Sequence, residues 1–269
     1  MPLHLNPLSQ SKQKDLIKLK QKKYRYKFLS YICEGWIMFK TAYESSPNDI
    51  QEIIVNDSFK SGKLITQLSN LLSESNIPVF ECSDKSFKSM SNEKTPSGIV
   101  FVMRMRFFSA ELINNIKDTN CIFLENVADP GNLGTIIRTA TWFGFTTMLL
   151  SQDSVDPYNP KVVRATAGGI FCMTPYLNIS LHAINEFGNR NNYHFVGTTV
   201  TNGEPLRSWK VSDKNIIFFG NEASGLTTSA LQLLHKKITI QGNGNMESLN
   251  LAVTAGIVMN HLYHVMHNK

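Results

Sequence analysis

Two kinds of apolar patterning alternate along this chain. In the second half, short runs that are apolar on both faces, "CIFLENV" from Cys121, "TTMLLSQ" from Thr146, "YHFVGTTV" from Tyr193 and "NIIFFGNE" from Asn215, read as buried strands. Between and after them lie stretches with helical period, "GNLGTIIRTATWFG" (131–144), "TTSALQLL" (227–234) and the last 20 residues. "KITIQG" adds a strand before the final helix. Strands buried on both faces and alternating with helices predict a parallel sheet covered on each side. The first half mixes "EIIVN", "IPVFE" and "GIVFVM" with helical periods such as "KLITQLSNLLSES", which predicts a smaller α/β unit. "SAELINNIKDTN" (109–120) reads as a short helix and connector between the two. The expected division is 1–115 and 116–269. Trp142 and Phe143 fall in an apolar helical stretch and are expected in the core.

Length and composition fit this picture. A chain of 269 residues, 42% hydrophobic, can bury a substantial core. Cys33, Cys82, Cys121 and Cys172 are scattered, with no CxxC pair, and are expected to be reduced packing residues rather than zinc ligands. The opening "MPLHLNPLSQSK" lacks the apolar core of a signal peptide, and no stretch is apolar for long enough to span a membrane. A soluble protein of the cytoplasm, or of an organelle's matrix, is expected. His235, His261, His264 and His267 are expected to be surface or packing residues.

Charge changes the picture more. The net +6 comes from one segment: "KQKDLIKLKQKKYRYK" (12–27) holds eight basic residues against Asp15, and the rest of the chain is close to neutral. Basic residues interleaved with Tyr24 and Tyr26 suit a phosphate backbone and stacking on bases. A solvated helix face explains the same run without a ligand.

Three predicted strands run into loops of similar character. "LENVADPGNLGTIIRTA" places Pro130 in a helix's first turn, Asn132 at its start, and Gly134 and Arg138 four residues apart on one face. "FFGNEASGL" follows an apolar strand with Gly220, Asn221, Glu222 and Gly225. "QGNGNMESLNLAVTAG" puts Ser248 and Asn250 at the door of the last helix; Ser248 is the expected N-cap, which leaves Asn250 without a local role. In parallel sheets, ligands gather in loops at the carboxyl ends of strands. Neither GxGxxG nor a Walker A sequence is present, so dinucleotide and NTP sites lack their phosphate cradle. Taken singly, each loop has an ordinary structural explanation.

In this order and spacing the three loops resemble the motifs of the SpoU (TrmH-like) RNA ribose 2′-O-methyltransferases of the SPOUT superfamily. The matching residues are Asn132, Gly134 and Arg138, then Gly220, Asn221, Glu222 and Gly225, then Ser248, Leu249 and Asn250. "NPKVVRATAGGIFCMTP", "EGWIMFKTA" and "KTPSGIVFVMR" also look like the family, the last two like its N-terminal substrate-binding domain. The resemblance implies a C-terminal domain with a deep trefoil knot, a homodimer, and S-adenosyl-L-methionine as cofactor without any metal. It implies a catalytic Arg138 assisted by Asn132, Glu222, Ser248 and Asn250. Thr198, Gly220, Asn221, Gly225, Ile240 and Leu249 would line the cofactor. RNA would be held by the N-terminal domain and the 12–27 run. An N-terminal domain of this kind favours large-subunit ribosomal RNA as substrate, with tRNA, or a non-catalytic knotted RNA-binding protein, as alternatives. One departure stands out: Gln241 and Gly242 follow Ile240 where members usually carry Pro and then Met.

Overall fold

A computed structural model describes residues 3–267. Among these the chain forms two compact units, one made of the residues up to Met105 together with Tyr158–Phe171, the other of Arg106–Pro157 and the residues from Cys172 onward. No helix among the described residues is long and apolar enough to cross a membrane.

The first unit runs β1 (Leu5–Pro7), α1 (Gln10–Lys18), α2 (Lys22–Phe28), β2 (Ser30–Glu34), α3 (Trp36–Ser45), β3 (Ile50–Asn56), α4 (Asp57–Lys60), α5 (Leu64–Leu71), β4 (Val79–Cys82), α6 (Asp84–Met90) and β5 (Ile99–Arg104). Its five strands are ordered β1-β4-β3-β5-β2. β4 is parallel to both β1 and β3, whereas β5 runs antiparallel to β3 and β2. β1 carries no apolar run and was not expected from the sequence; pairing with β4 orders it. Leu16 and Leu19 seal one side of the sheet against Ile54, Phe87 and Met90. Arg25 departs from a solvated basic run. It is buried, and its guanidinium donates to the carbonyls of Leu19 (3.1 Å) and Lys20 (2.9 Å). Those carbonyls lie beyond the end of α1 and have no helical donor to take them up.

The second unit contains β6 (Asn120–Leu124), α7 (Pro130–Trp142) and β7 (Thr147–Leu150). The chain then lends α8 (Pro160–Ala165) to the first unit and returns with β8 (Thr174–Tyr176), α9 (Leu181–Arg190), β9 (His194–Thr198) and β10 (Glu204–Pro205). It ends with β11 (Asn215–Phe219), α10 (Thr228–Leu233), β12 (Lys236–Thr239) and α11 (Leu251–His267). The sheet is wholly parallel, in the order β10-β12-β9-β11-β6-β7-β8, as the two-faced apolar runs predict. Its central strand β11 is buried at every residue. Phe123, Phe195 and Phe218 fill one face with Phe187 of α9.

Expectations for three residues are corrected here. Trp142 is 83% exposed rather than core. The buried face of α7 is Leu133, Ile136, Ile137 and Ala140, and a residue nine places beyond Leu133 lies about half a turn away from it. Phe143 is half-buried against the ring of Tyr263, 5.6 Å away. Cys172 is exposed, at the point where the chain leaves the first unit. The final helix α11, apolar nearly all round in sequence, buries a single face (Leu251, Ala252, Ala255, Val258, Met259, Leu262) and leaves Val253 50% exposed.

Candidate functional site

Because the sheet is parallel, β12, β9, β11 and β6 end along one edge. Leu124 lies opposite Phe219, Gly197 opposite Phe218, and Thr198 opposite Ile238. Glu125, Gly220 and Ile240 therefore begin their loops close together, and short-range chemistry then ties those loops to one another.

Glu125 is buried, and its two oxygens accept from the backbone N–H and the hydroxyl of Thr227, both at 2.8 Å, anchoring the start of α10. Next to it, Asn126 adopts a left-handed backbone (φ 55), a conformation Asn tolerates better than most residues. Its N–H donates to Ser151 Oγ at 2.8 Å, and its carbonyl accepts from Asn221 Nδ2 at 2.7 Å. Asn221 Oδ1 in turn accepts from the amides of Ala223 and Ser224, closing a tight return in which Asn221 and Gly225 exchange both backbone hydrogen bonds. Gly225 supplies the positive φ (68) that this return requires. A Cβ at Gly220 would stand 2.1 Å from the carbonyl carbon of Gly225, so only glycine fits there.

Asp129 caps α7 by accepting from the backbone N–H of Asn132 at 2.7 Å. An Asp directly before Pro at the first helical position is a cap signal already present in the sequence. The side chain of Asn132 is thereby left free for other partners. Its Nδ2 donates to Glu222 Oε1 (3.0 Å), and its Oδ1 accepts from Asn250 Nδ2 (2.9 Å). Glu222 also accepts from the backbone amides of Asp129 (3.2 Å) and Ala128 (3.3 Å). Burial by itself would raise the Glu222 carboxyl, but these hydrogen bonds outweigh it and hold the group below its ordinary value, so it is ionised at neutral pH.

Asn250 performs two tasks. Its Oδ1 accepts from the amides of Ala252 (2.9 Å) and Val253 (3.3 Å), which makes it the N-cap of α11 in place of Ser248. Its Nδ2 reaches Asn132. Glu222, Asn132 and Asn250, one from each loop, thus form a continuous hydrogen-bonded chain. Replacing Asn250 with Ala removes all three bonds. Thermal unfolding should show a loss of about 1 kcal/mol from the cap, with a larger fall in turnover than this small destabilisation explains.

The structure does not bring the remaining sequence-derived residues into that chain. Arg138 is exposed on α7, six residues beyond Asn132, and makes no hydrogen bond or ion pair among the described residues. Ser248 is likewise exposed and unbonded there. Thr198 donates from Oγ1 to the Phe218 carbonyl at 3.4 Å, at the end of β9. Ile240 is half-buried, and the whole of 241–250 is exposed, including Met246 (81%) and Leu249 (49%). Glu125, Asn126, Ser151 and Thr227 complete the network and had not been singled out. Nothing in their local sequence signals a role, because each is defined by a partner on another loop.

Chemically, the arrangement offers a fixed carboxylate and two oriented amides, a guanidinium on the same helix as Asn132 with no partner among the described residues, and an exposed loop (241–250) carrying apolar side chains. Comparison with known proteins gives this arrangement a context. The model of the SpoU rRNA Methylase family matches residues 119–260, and that of the MRM3-like substrate binding domain matches residues 10–100. The 23S rRNA (guanosine(2553)-2′-O)-methyltransferase RlmP of Bacillus subtilis (strain 168) is 30% identical over 251 residues, covering 93% of this chain and 95% of that protein. Among solved structures, the SpoU methyltransferase AviRb from Streptomyces viridochromogenes, in complex with AdoMet, superposes with a TM-score of 0.84 at 18% identity, covering 96% of this chain and 99% of that one. An rRNA methyltransferase from Sinorhizobium meliloti gives 0.81 at 24% identity, with 97% of each chain covered. At these identities the structural likenesses concern the fold. The family match over the second unit, the substrate-binding match over the first, and the full-length relative agree with the motif resemblance: this chain belongs to the SpoU rRNA methylase family.

Proposed function

We propose that this protein transfers a methyl group from S-adenosylmethionine to a ribose 2′-hydroxyl of large-subunit ribosomal RNA. The observation that carries the reading is Arg138, exposed six residues beyond Asn132 of the Glu222–Asn132–Asn250 chain and without a partner among the described residues. A guanidinium so placed is available to an RNA phosphate and to the hydroxyl it flanks. The choice of ribosomal RNA is supported by RlmP, which aligns along almost its whole length.

The chain's own groups fit the cofactor. Thr198, Gly220 and Ile240 sit at the ends of three adjacent strands, and Asn221 and Gly225 shape the return beside them. Leu249 and Met246 hold apolar surface in water next to exposed backbone, which an adenosyl group would cover. The cofactor supplies the methyl group already activated on a sulfonium. The protein must then place the 2′-oxygen in line with that carbon and help its proton leave to solvent. An Arg has far too high a pKa to act as an ordinary base. Its charge instead lowers the pKa of the hydroxyl and neutralises the adjoining phosphate. With RNA bound, Asn132, Glu222, Ser248 and Asn250 would orient the ribose and meet Arg138, which bonds to none of them in the free protein.

Residues 1–115 hold the RNA in this reading and residues 116–269 carry the chemistry. The motif resemblance and the family match over residues 119–260 support a C-terminal region threaded as a trefoil knot. Exposed Trp142 and Val253, on helices that pack together, support a homodimer.

Tritiated-methyl transfer to total RNA and to partly assembled ribosomal particles, separated by size, tests the reading. Label in the large ribosomal RNA, at a ribose resistant to alkaline cleavage, is the expected result. Label confined to tRNA would overturn the substrate. Cofactor binding with no label in any fraction would overturn catalysis in favour of a binding protein.

A further inference from the structure

The eight cations of the 12–27 segment divide into two sets. Lys12 pairs with Glu52, Lys18 with Asp15 at 2.8 Å, Lys20 donates to the Ser91 carbonyl at 2.8 Å, and Arg25 is buried on the carbonyls of Leu19 and Lys20. Lys12, Lys20 and Arg25 are occupied in holding α1 and α2 on the first unit, whereas Lys18 pairs within α1 itself. Lys14, Lys22, Lys23 and Lys27 are exposed and have no carboxylate partner among the described residues. Three of the four stand on α2, whose sequence is KKYRYKF.

The same short helix carries an aromatic pair. Tyr24 and Phe28, one turn apart, hold their rings near-parallel (14°) with centroids 6.1 Å apart. Lys23 Nζ lies 4.8 Å from the Tyr24 centroid, and Lys27 Nζ lies 5.8 Å from that of Phe28. Phe28 is 42% exposed, and Leu29, which ends the helix in a left-handed conformation (φ 48), is 48% exposed. Flat apolar faces left in water and ringed by unneutralised ammonium groups suit a ligand that is both anionic and planar. A nucleotide has both properties, whereas an acidic peptide brings the charge without the flat face. In a duplex the base faces are already stacked on one another, so a platform of this kind selects unpaired nucleotides.

We propose that α2 is a docking platform for an unpaired stretch of the RNA substrate, with a base against Tyr24 and Phe28 and the flanking phosphates on Lys22, Lys23 and Lys27. The proposal rests on the RNA reading above and narrows it from eight cations to a defined face. The buried Arg25 fixes the platform to the unit without touching RNA.

Fluorescence anisotropy of the full-length protein with a labelled twelve-nucleotide single-stranded RNA tests this, alongside the same RNA annealed to its complement, across a salt series. Truncation is unsuitable, because it would remove β1 and the core residues Leu16 and Leu19. Phe28→Leu, which keeps apolar bulk and loses the ring, should weaken single-strand binding roughly ten-fold with duplex binding, salt slope and melting temperature unchanged. Substituting Lys22, Lys23 and Lys27 together with Gln should flatten the slope of log K against log salt by about 2. Lys12→Gln, on α1 and paired with Glu52, should leave the slope in place. Single-strand affinity unaltered in Phe28→Leu, or a slope that falls in Lys12→Gln by as much per charge as in the triple variant, about 0.7, would overturn the platform. If wild type still methylates ribosomal RNA in that event, the enzymatic reading stands. A wild type with neither RNA affinity nor methyl transfer would overturn both.

Discussion

Arg138→Ala is expected to lower methyl transfer on the order of a thousand-fold while S-adenosylmethionine binding, measured by calorimetry, stays within experimental error of wild type. Two features of the structure lead to this split. Arg138 is exposed and bonds to no described residue, so its removal leaves no buried partner stranded and should not disturb folding. The proposed cofactor-lining positions, Thr198, Gly220, Ile240 and Leu249, lie on other elements, reached without passing through Arg138. The guanidinium would act where negative charge builds on the 2′-oxygen, and preorganised charge at such a point supplies a large part of a rate enhancement. Arg138→Lys should recover part of the rate, since an ammonium keeps the charge but loses the planar fork that spans phosphate and hydroxyl together. Single-turnover rates with saturating RNA separate this effect from weaker RNA binding. Wild-type rates in Arg138→Ala would remove the residue from the mechanism and leave the Glu222–Asn132–Asn250 chain without its proposed client.

The second large effect is structural. Gly220→Ala places a methyl 2.1 Å from the carbonyl carbon of Gly225 and 2.2 Å from the amide nitrogen of Leu226. Both atoms belong to backbone, and the Asn221–Gly225 hydrogen bonds prevent the return from moving aside. Overpacking typically costs about 1–3 kcal/mol, and a clash with backbone on both sides puts this site at the upper end of that range. Chemical denaturation should register the loss in the second unit, together with loss of cofactor binding. Gly242→Ala provides the contrast. Nothing lies within 4 Å of a Cβ at Gly242 and its φ is not positive, so the change should be neutral or stabilise by about 0.5 kcal/mol through the unfolded chain. It would also stiffen the loop at one of the two positions where this chain departs from the family's usual Pro and Met. Equal losses in the two variants would show that flexibility of the loops, rather than the close approach at Gly220, controls the site.

Much of this was legible in advance, for identifiable reasons. A strand buried on both faces, such as β11 with its run Ile216–Ile217–Phe218–Phe219, is apolar along nearly all its length, and this pattern survives translation into any parallel sheet. The three Gly- and Asn-rich loops announced themselves by composition, and parallel strands oblige such loops to share an edge. Other features escaped because their cause lies elsewhere in the chain. β1 has no strand pattern and exists through β4. Arg25 sits in a run of solvated lysines, and its burial follows from two carbonyls at a helix end. Trp142 lies in an apolar stretch, yet its phase on α7 turns it to solvent.

The sequence by itself determined most of the elements, the parallel character of the second unit's sheet and the family, because periodicity and motif spacing are local properties that every turn of the chain carries. Only the tertiary structure decided which side chains act together. Asn250 had no local role beside Ser248 and one only by resemblance; the fold supplied its partner, Asn132, 118 residues away, which in turn reaches Glu222 across 90. Period and composition tell a side chain which face it occupies. A hydrogen bond of 3 Å between distant loops depends instead on strand order and register, which no local pattern records.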